Sequence, residues 1–142
     1  ALAVVTSTKS AEPAAAPLAL ADNLVSVGRV ILDDLQFNTG GYGLSDGAYR
    51  SLADLAEYLL ANPDARVTLV GHTDAEGSLS GNMALSKRRA GAVASRLIET
   101  HGVPKGQIAY EGIGFLSPRA SNLTDEGKAA NRRVEVILSS AS

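Results

Sequence analysis

The sequence predicts an α+β two-layer sandwich, a mixed four-stranded sheet with helices packed on one face and its elements in the order βαβαββ. Three observations predict it. Two short apolar runs, Val30–Phe37 and Arg66–Gly71, bracket a segment whose leucines recur at helical spacing, the pattern of a parallel βαβ unit with right-handed crossover. A second strand–turn–helix passage, Val67–Ala90, follows at once. Near the end, Arg132–Leu138 alternates, with Val134, Val136 and Leu138 directed inward and Arg133, Glu135 and Ile137 outward, as in a half-buried strand.

Taken in order, residues 1–22 are Ala-rich, carry Pro13 and Pro17, and show little periodicity, so a flexible linker or tail is expected there, with the domain proper at 23–142. Ala1–Thr6 is too short for the apolar core of a signal peptide and no Met precedes it, so a trimmed N-terminus is expected. The first strand, Val30–Phe37, closes in the turn cluster NTGGYG. Ser45 is placed to cap the first helix, with Asp46 in its first turn. Tyr49, Leu52, Leu55, Ala56 and Leu59 form its apolar side, and Asn62 before Pro63 ends it. The second helix begins near Leu79–Asn82 and runs to Thr100, with Ala90, Val93, Ala94 and Leu97 as its stripe and His101-Gly102 as its stop. Gln107–Gly112 reads as the third strand, and Thr124 caps a short helix ending at Asn131.

Composition narrows the function. With 45% hydrophobic residues the 142-residue chain has material for one sizeable core. A net charge of -2 argues against a general nucleic-acid role, so no nucleic-acid partner is expected. Cysteine is absent, which removes disulfides, thiol chemistry and Cys-based zinc sites. No apolar run reaches the roughly 20 residues that span a bilayer. The two histidines, His72 and His101, lack spaced partners for a metal, and His72 reads as a satisfied structural residue. Neither a G-x-S-x-G elbow nor a P-loop is present. Asp74 and Glu76 could be imagined as a glycosidase pair, but two acids on one turn read as a solvated turn. The chain is therefore expected to be no enzyme, with no metal and no cofactor.

A binding site reads better. Asp74 ends the second strand, and three cations, Lys87, Arg88 and Arg89, stand on the helix after it. Leu85, Arg89 and Arg96 flank the apolar stripe, so Arg89 can bury its stem while its guanidinium reaches over the strand end. Lys87 and Arg88 point further round to solvent. The first-turn amides of that helix lack intrahelical partners and could hold an anion, and Arg89 could grip a carboxylate in bidentate fashion. Together with Asp74 this suits a ligand carrying both charges close together, such as an amino acid zwitterion. An internal Asp74–Arg89 salt bridge is equally consistent with the residues alone.

The motifs Gly71-His72-Thr73-Asp74, Gly77, Asn82, Leu85-Ser86, Arg89-Ala90, Gly112, Gly114, Pro118, Asn122, Thr124, Gly127 and Asn131-Arg132-Arg133-Val134-Glu135 resemble the OmpA-like C-terminal domain. That family includes the peptidoglycan-associated lipoprotein and the periplasmic part of the stator protein MotB. The resemblance covers about Asn23–Leu138 and implies non-covalent binding of peptidoglycan through the diaminopimelate of its stem peptide. By position it implies Asp74 and Arg89 as the residues holding that ligand's charges, lined by Thr73, Asn82, Leu85 and the loop Asn38–Gly40, with Thr39 and Gly40 in contact. Asn38 stands where many relatives carry Asp, and the glycine-rich loop departs from the pattern. Arg132 and Arg133 both match, and which of them serves the site is left open. The resemblance further implies a periplasmic or outer-membrane location in a Gram-negative bacterium, a membrane-associated full-length protein and an anchoring role. The alternative is a scaffold or oligomerisation domain of a stator or secretion complex, and a homodimer is left open.

Overall fold

The computed structural model describes residues 17–38 and 41–140. Its elements are α1 (Pro17–Val27), β1 (Arg29–Ile31), α2 (Arg50–Ala61), β2 (Arg66–His72), α3 (Leu79–Glu99), a 3-10 turn (Lys105–Gln107), β3 (Ile108–Gly112), α4 (Asp125–Asn131) and β4 (Arg133–Ser140). The four strands form one sheet in the order β1-β4-β2-β3, with β2 and β3 parallel and β4 antiparallel to both of its neighbours. The α+β class and the mixed sheet agree with the sequence reading.

One apolar cluster holds the layers together. Leu52, Leu55 and Leu59 of α2 and Val93 and Leu97 of α3 meet Val67, Leu69, Val134 and Val136 of the sheet, all fully or almost fully buried. The stripes expected on both helices are the buried ones. Two glycines let α3 approach closely. Gly71 and Gly112 lie opposite each other in register, and a Cβ on either would stand 2.0 Å from the Ser86 carbonyl oxygen or 2.2 Å from the Lys87 amide nitrogen. The α3 backbone thus rests on the ends of β2 and β3, which fixes the height at which Asn82, Leu85 and Arg89 stand over the strand ends.

Several elements differ from expectation, each for a local reason. α1 begins inside the segment read as a linker, because Leu20 and Leu24 find burial against α2 and the sheet; residues 1–16 lie outside the described residues. The first strand is only three residues long, since the chain turns at Asp33-Asp34, although Phe37 keeps an isolated bridge to Leu44. Ser45 does not cap α2. The helix starts at Arg50, and the cap comes from Asp34, whose carboxylate accepts from the Ser51 amide (3.0 Å) and the Ser51 hydroxyl. Ser45 instead donates its amide to the Gln36 carbonyl. Thr124 does cap α4, accepting from the Gly127 amide at 2.9 Å.

Glu135 faces away from the helices, as its alternation requires, but is buried rather than solvated, only 3% exposed. It accepts from Arg133 Nε at 2.6 Å, with Arg29 Nε and His72 Nε2 each 3.7 Å away. His72 is buried in the same cluster, and its Nδ1 lacks a hydrogen-bond partner among the described residues, so the expectation of a fully satisfied histidine fails at that atom. Burial, then repulsion from Arg133, holds its pKa down to about 4 against the attraction of Glu135.

Candidate functional site

At the carboxyl end of β2 the chain leaves the sheet through Thr73 and Asp74, both buried. The Thr73 amide donates to the Gly114 carbonyl (2.8 Å), which pins this exit to the loop after β3. Asp74 turns its carboxylate back over the turn. Oδ1 accepts from the Glu76 amide at 3.0 Å and Oδ2 from Arg132 Nη1 at 2.6 Å. Burial alone would raise the Asp74 pKa, but the Glu76 amide and the Arg132 guanidinium outweigh it and hold the carboxyl below its ordinary value.

Across the opening, Arg89 reaches from α3 with its stem half-buried. Its Nε donates to the Gly41 carbonyl at 2.9 Å, and its guanidinium lies over the Phe37 ring, 5.2 Å from the centroid. Its two Nη groups have no protein acceptor among the described residues. Burial lowers its pKa, the neighbouring Arg132 adds to that, and Asp74 opposes both. Asp74 and Arg89 are not paired with each other; both line a cavity of about 640 Å³. The internal salt bridge that the residues alone left open is therefore not formed.

The other expected residues fall into place unevenly. Thr73, Asn82 and Leu85 line the same cavity, as does Asn38. The Asn82 side-chain amide donates to the Glu76 (2.7 Å) and Ser78 (3.0 Å) carbonyls, so it braces the turn that carries Asp74. The Thr73 hydroxyl donates to the Asp74 carbonyl at 2.8 Å. Thr39 and Gly40 lie outside the described residues. The first-turn amides of α3 take no part in the cavity: Ser78 caps the Gly81 amide at 3.1 Å, and α3 contributes only Asn82, Leu85 and Arg89. An anion here is thus left to arginine.

Arg132 is what sequence reasoning did not resolve. It occupies the junction between α4 and β4, outside the strand's alternation, and is free to lean onto Asp74, whereas Arg133 is drawn into the Glu135 cluster. Asn131 makes that junction rigid. Fully buried, its Oδ1 accepts from the Arg119 (2.8 Å) and Ala120 (3.0 Å) amides while its Nδ2 donates to the Ala120 carbonyl and to Asn122 Oδ1. Of the turn expected to be solvated, Glu76 is exposed, with Lys128 beside it at 2.5 Å, whereas Asp74 is buried. Among the described residues no cluster of potential ligands could hold a metal.

Over 126 residues the chain is 41% identical to the peptidoglycan-binding protein ArfA of Mycobacterium tuberculosis, an alignment covering 89% of this chain and 38% of ArfA. The chain thus spans well under half of that relative's length. Its structure resembles that of the peptidoglycan-associated lipoprotein of Burkholderia pseudomallei (TM-score 0.68, 27% identity, 87% of this chain and 99% of that one). It also resembles a MotB-like protein of Desulfovibrio vulgaris (TM-score 0.63, 30% identity, 78% and 70% covered). Residues 36–132 match the OmpA family, which takes in Phe37, Asp74, Arg89 and Arg132 together. The chain belongs to the OmpA family.

Proposed function

We propose that this domain binds bacterial peptidoglycan without turning it over, by holding the diaminopimelate of a stem peptide between Asp74 and Arg89. The observation that carries the reading is the separation of those two charges: Asp74 and Arg89 line a single open cavity without being spent on each other. An ionised carboxylate has about four lone-pair directions. Asp74 uses two, on Glu76 and Arg132, and can accept a ligand ammonium on the others. Arg89 presents its Nη edge for a carboxylate, the bidentate geometry a guanidinium favours. Leu35, Phe37 and Leu85 supply the apolar wall for the methylene chain that joins the two centres of diaminopimelate.

Several features speak against catalysis. Asp74 is held ionised, which disqualifies it as a general acid. Glu76 is tied to Lys128, and His72 is buried in the Glu135 cluster. Wall binding of this kind suits an anchor between the wall and an envelope component. Because a mycobacterial protein stands among the relatives, the wall itself, rather than a Gram-negative outer membrane, is the feature the proposal requires.

The test compares stem peptides with diaminopimelate or lysine at the third position, by calorimetry. Lysine keeps the ammonium and lacks the second carboxylate, so Arg89 would stay desolvated and unpaired. That costs about 2–5 kcal/mol, and the lysine peptide should bind at least ~30-fold more weakly. Equal affinities would overturn the assignment.

A further inference from the structure

A second cavity, of about 580 Å³, is lined by Tyr42, Tyr110 and a neighbouring part of α3. Its walls are two tyrosine rings. Tyr42 is 50% exposed on the loop, and Tyr110 is 43% exposed on the edge strand β3. Its floor is the outer surface of α3 at Gly91, Ala92 and Ser95, and its rim carries Lys87 and Arg88. Gly91 lets the Tyr110 ring pack close against α3: a Cβ there would stand 3.0 Å from that ring. Arg88 lies over the Tyr42 ring, 5.3 Å from its centroid. Among the described residues Lys87 has only the exposed Glu111 as a partner, at 3.9 Å.

The two cavities share their framework. Arg88 and Arg89 are consecutive on α3, and the loop that accepts from Arg89 at Gly41 continues directly into Tyr42. Resting on the reading given above, we infer that the trough between Tyr42 and Tyr110 is a saccharide subsite for the glycan strand whose stem peptide occupies the first cavity. Sugar rings present weakly positive C–H faces, which stack on the negative face of an aromatic ring. Their hydroxyl and acetamido oxygens suit the donors Lys87, Arg88 and Ser95. The free carboxylate of the stem peptide's second residue would pass the Lys87–Arg88 rim with complementary charge. Two residues of peptide separate the diaminopimelate from the sugar, a short tether that suits two neighbouring sites.

The experiment measures affinities for a sugar-free diaminopimelate stem peptide and for the same peptide carrying its disaccharide, in the wild type and in Tyr42→Ala. The wild type should bind the disaccharide form more tightly, by roughly five-fold or more. Tyr42→Ala should abolish that preference while leaving the sugar-free affinity unchanged, since Tyr42 does not line the first cavity. Shifts of the Tyr42 and Tyr110 ring signals on adding the sugar alone would support the same assignment without any substitution. Equal wild-type affinities overturn the subsite and leave the stem-peptide reading standing; binding of neither ligand overturns both. A Tyr42→Ala variant that alters oligomeric state and loses no sugar preference would instead mark the trough as a protein contact.

Discussion

At the scale of single residues, neighbouring members of one motif do different work. Arg132 and Arg133 are adjacent and both line the cavity, yet one holds the site's carboxylate and the other is held by the buried Glu135. Alternation alone could not assign them, because Arg132 belongs to a helix end and not to the strand. His72 and Asp74 show a similar split. The His72 pKa is lowered to about 4 from an unfolded value of 6.5, so the unfolded chain binds the extra proton first. Its contribution to stability is therefore complete above pH 6.5 and is lost as pH falls towards 4, by about 3 kcal/mol in all. Thermal melts across that window should show the loss, and His72→Gln should flatten it. A wild-type midpoint that stays constant over the window would contradict the buried, uncharged histidine. Asp74, with its carboxyl held low, adds its own pH dependence only below that window.

At the scale of elements, what was legible depended on whether local pattern and tertiary packing agreed. The stripes of α2 and α3, the break before Pro63 and the Thr124 cap are local signals, and each stands where the residues put it. The start of α2 was misplaced because its cap is not local: Asp34 reaches it from 17 residues upstream. The sequence does not mark α1 because it continues the Ala- and Pro-rich run before it without a clear stripe, and it is docking on α2 that buries Leu20 and Leu24. The fit of α3 to the sheet carries the sharpest prediction at this scale. Gly71→Ala would force a methyl group to within 2.0 Å of the Ser86 carbonyl oxygen, where backbone and not a side chain must give way. Overpacking of that kind costs about 1–3 kcal/mol or more. A lowered denaturant midpoint should be accompanied by weakened ligand binding, since α3 carries Arg89. Unaltered stability would mean that α3 sits higher than described.

For the whole molecule, the fold brings together at one end of the sheet residues far apart in the chain: Phe37, Asp74, Arg89 and Arg132. The sequence showed the charges and their family pattern. It did not show that Arg132, and not Arg89, would engage Asp74, because that depends on how Asn131 knots the loop at Arg119–Asn122 against the α4–β4 junction. The central claim is that two opposed charges kept apart by this scaffold hold the wall's diaminopimelate. Sedimentation of Asp74→Ala and Arg89→Ala with insoluble peptidoglycan tests it most directly. Each folded variant should remain largely in the supernatant where the wild type pellets, a loss of at least ~30-fold in affinity; variants that keep their fold and pellet as the wild type does would contradict it.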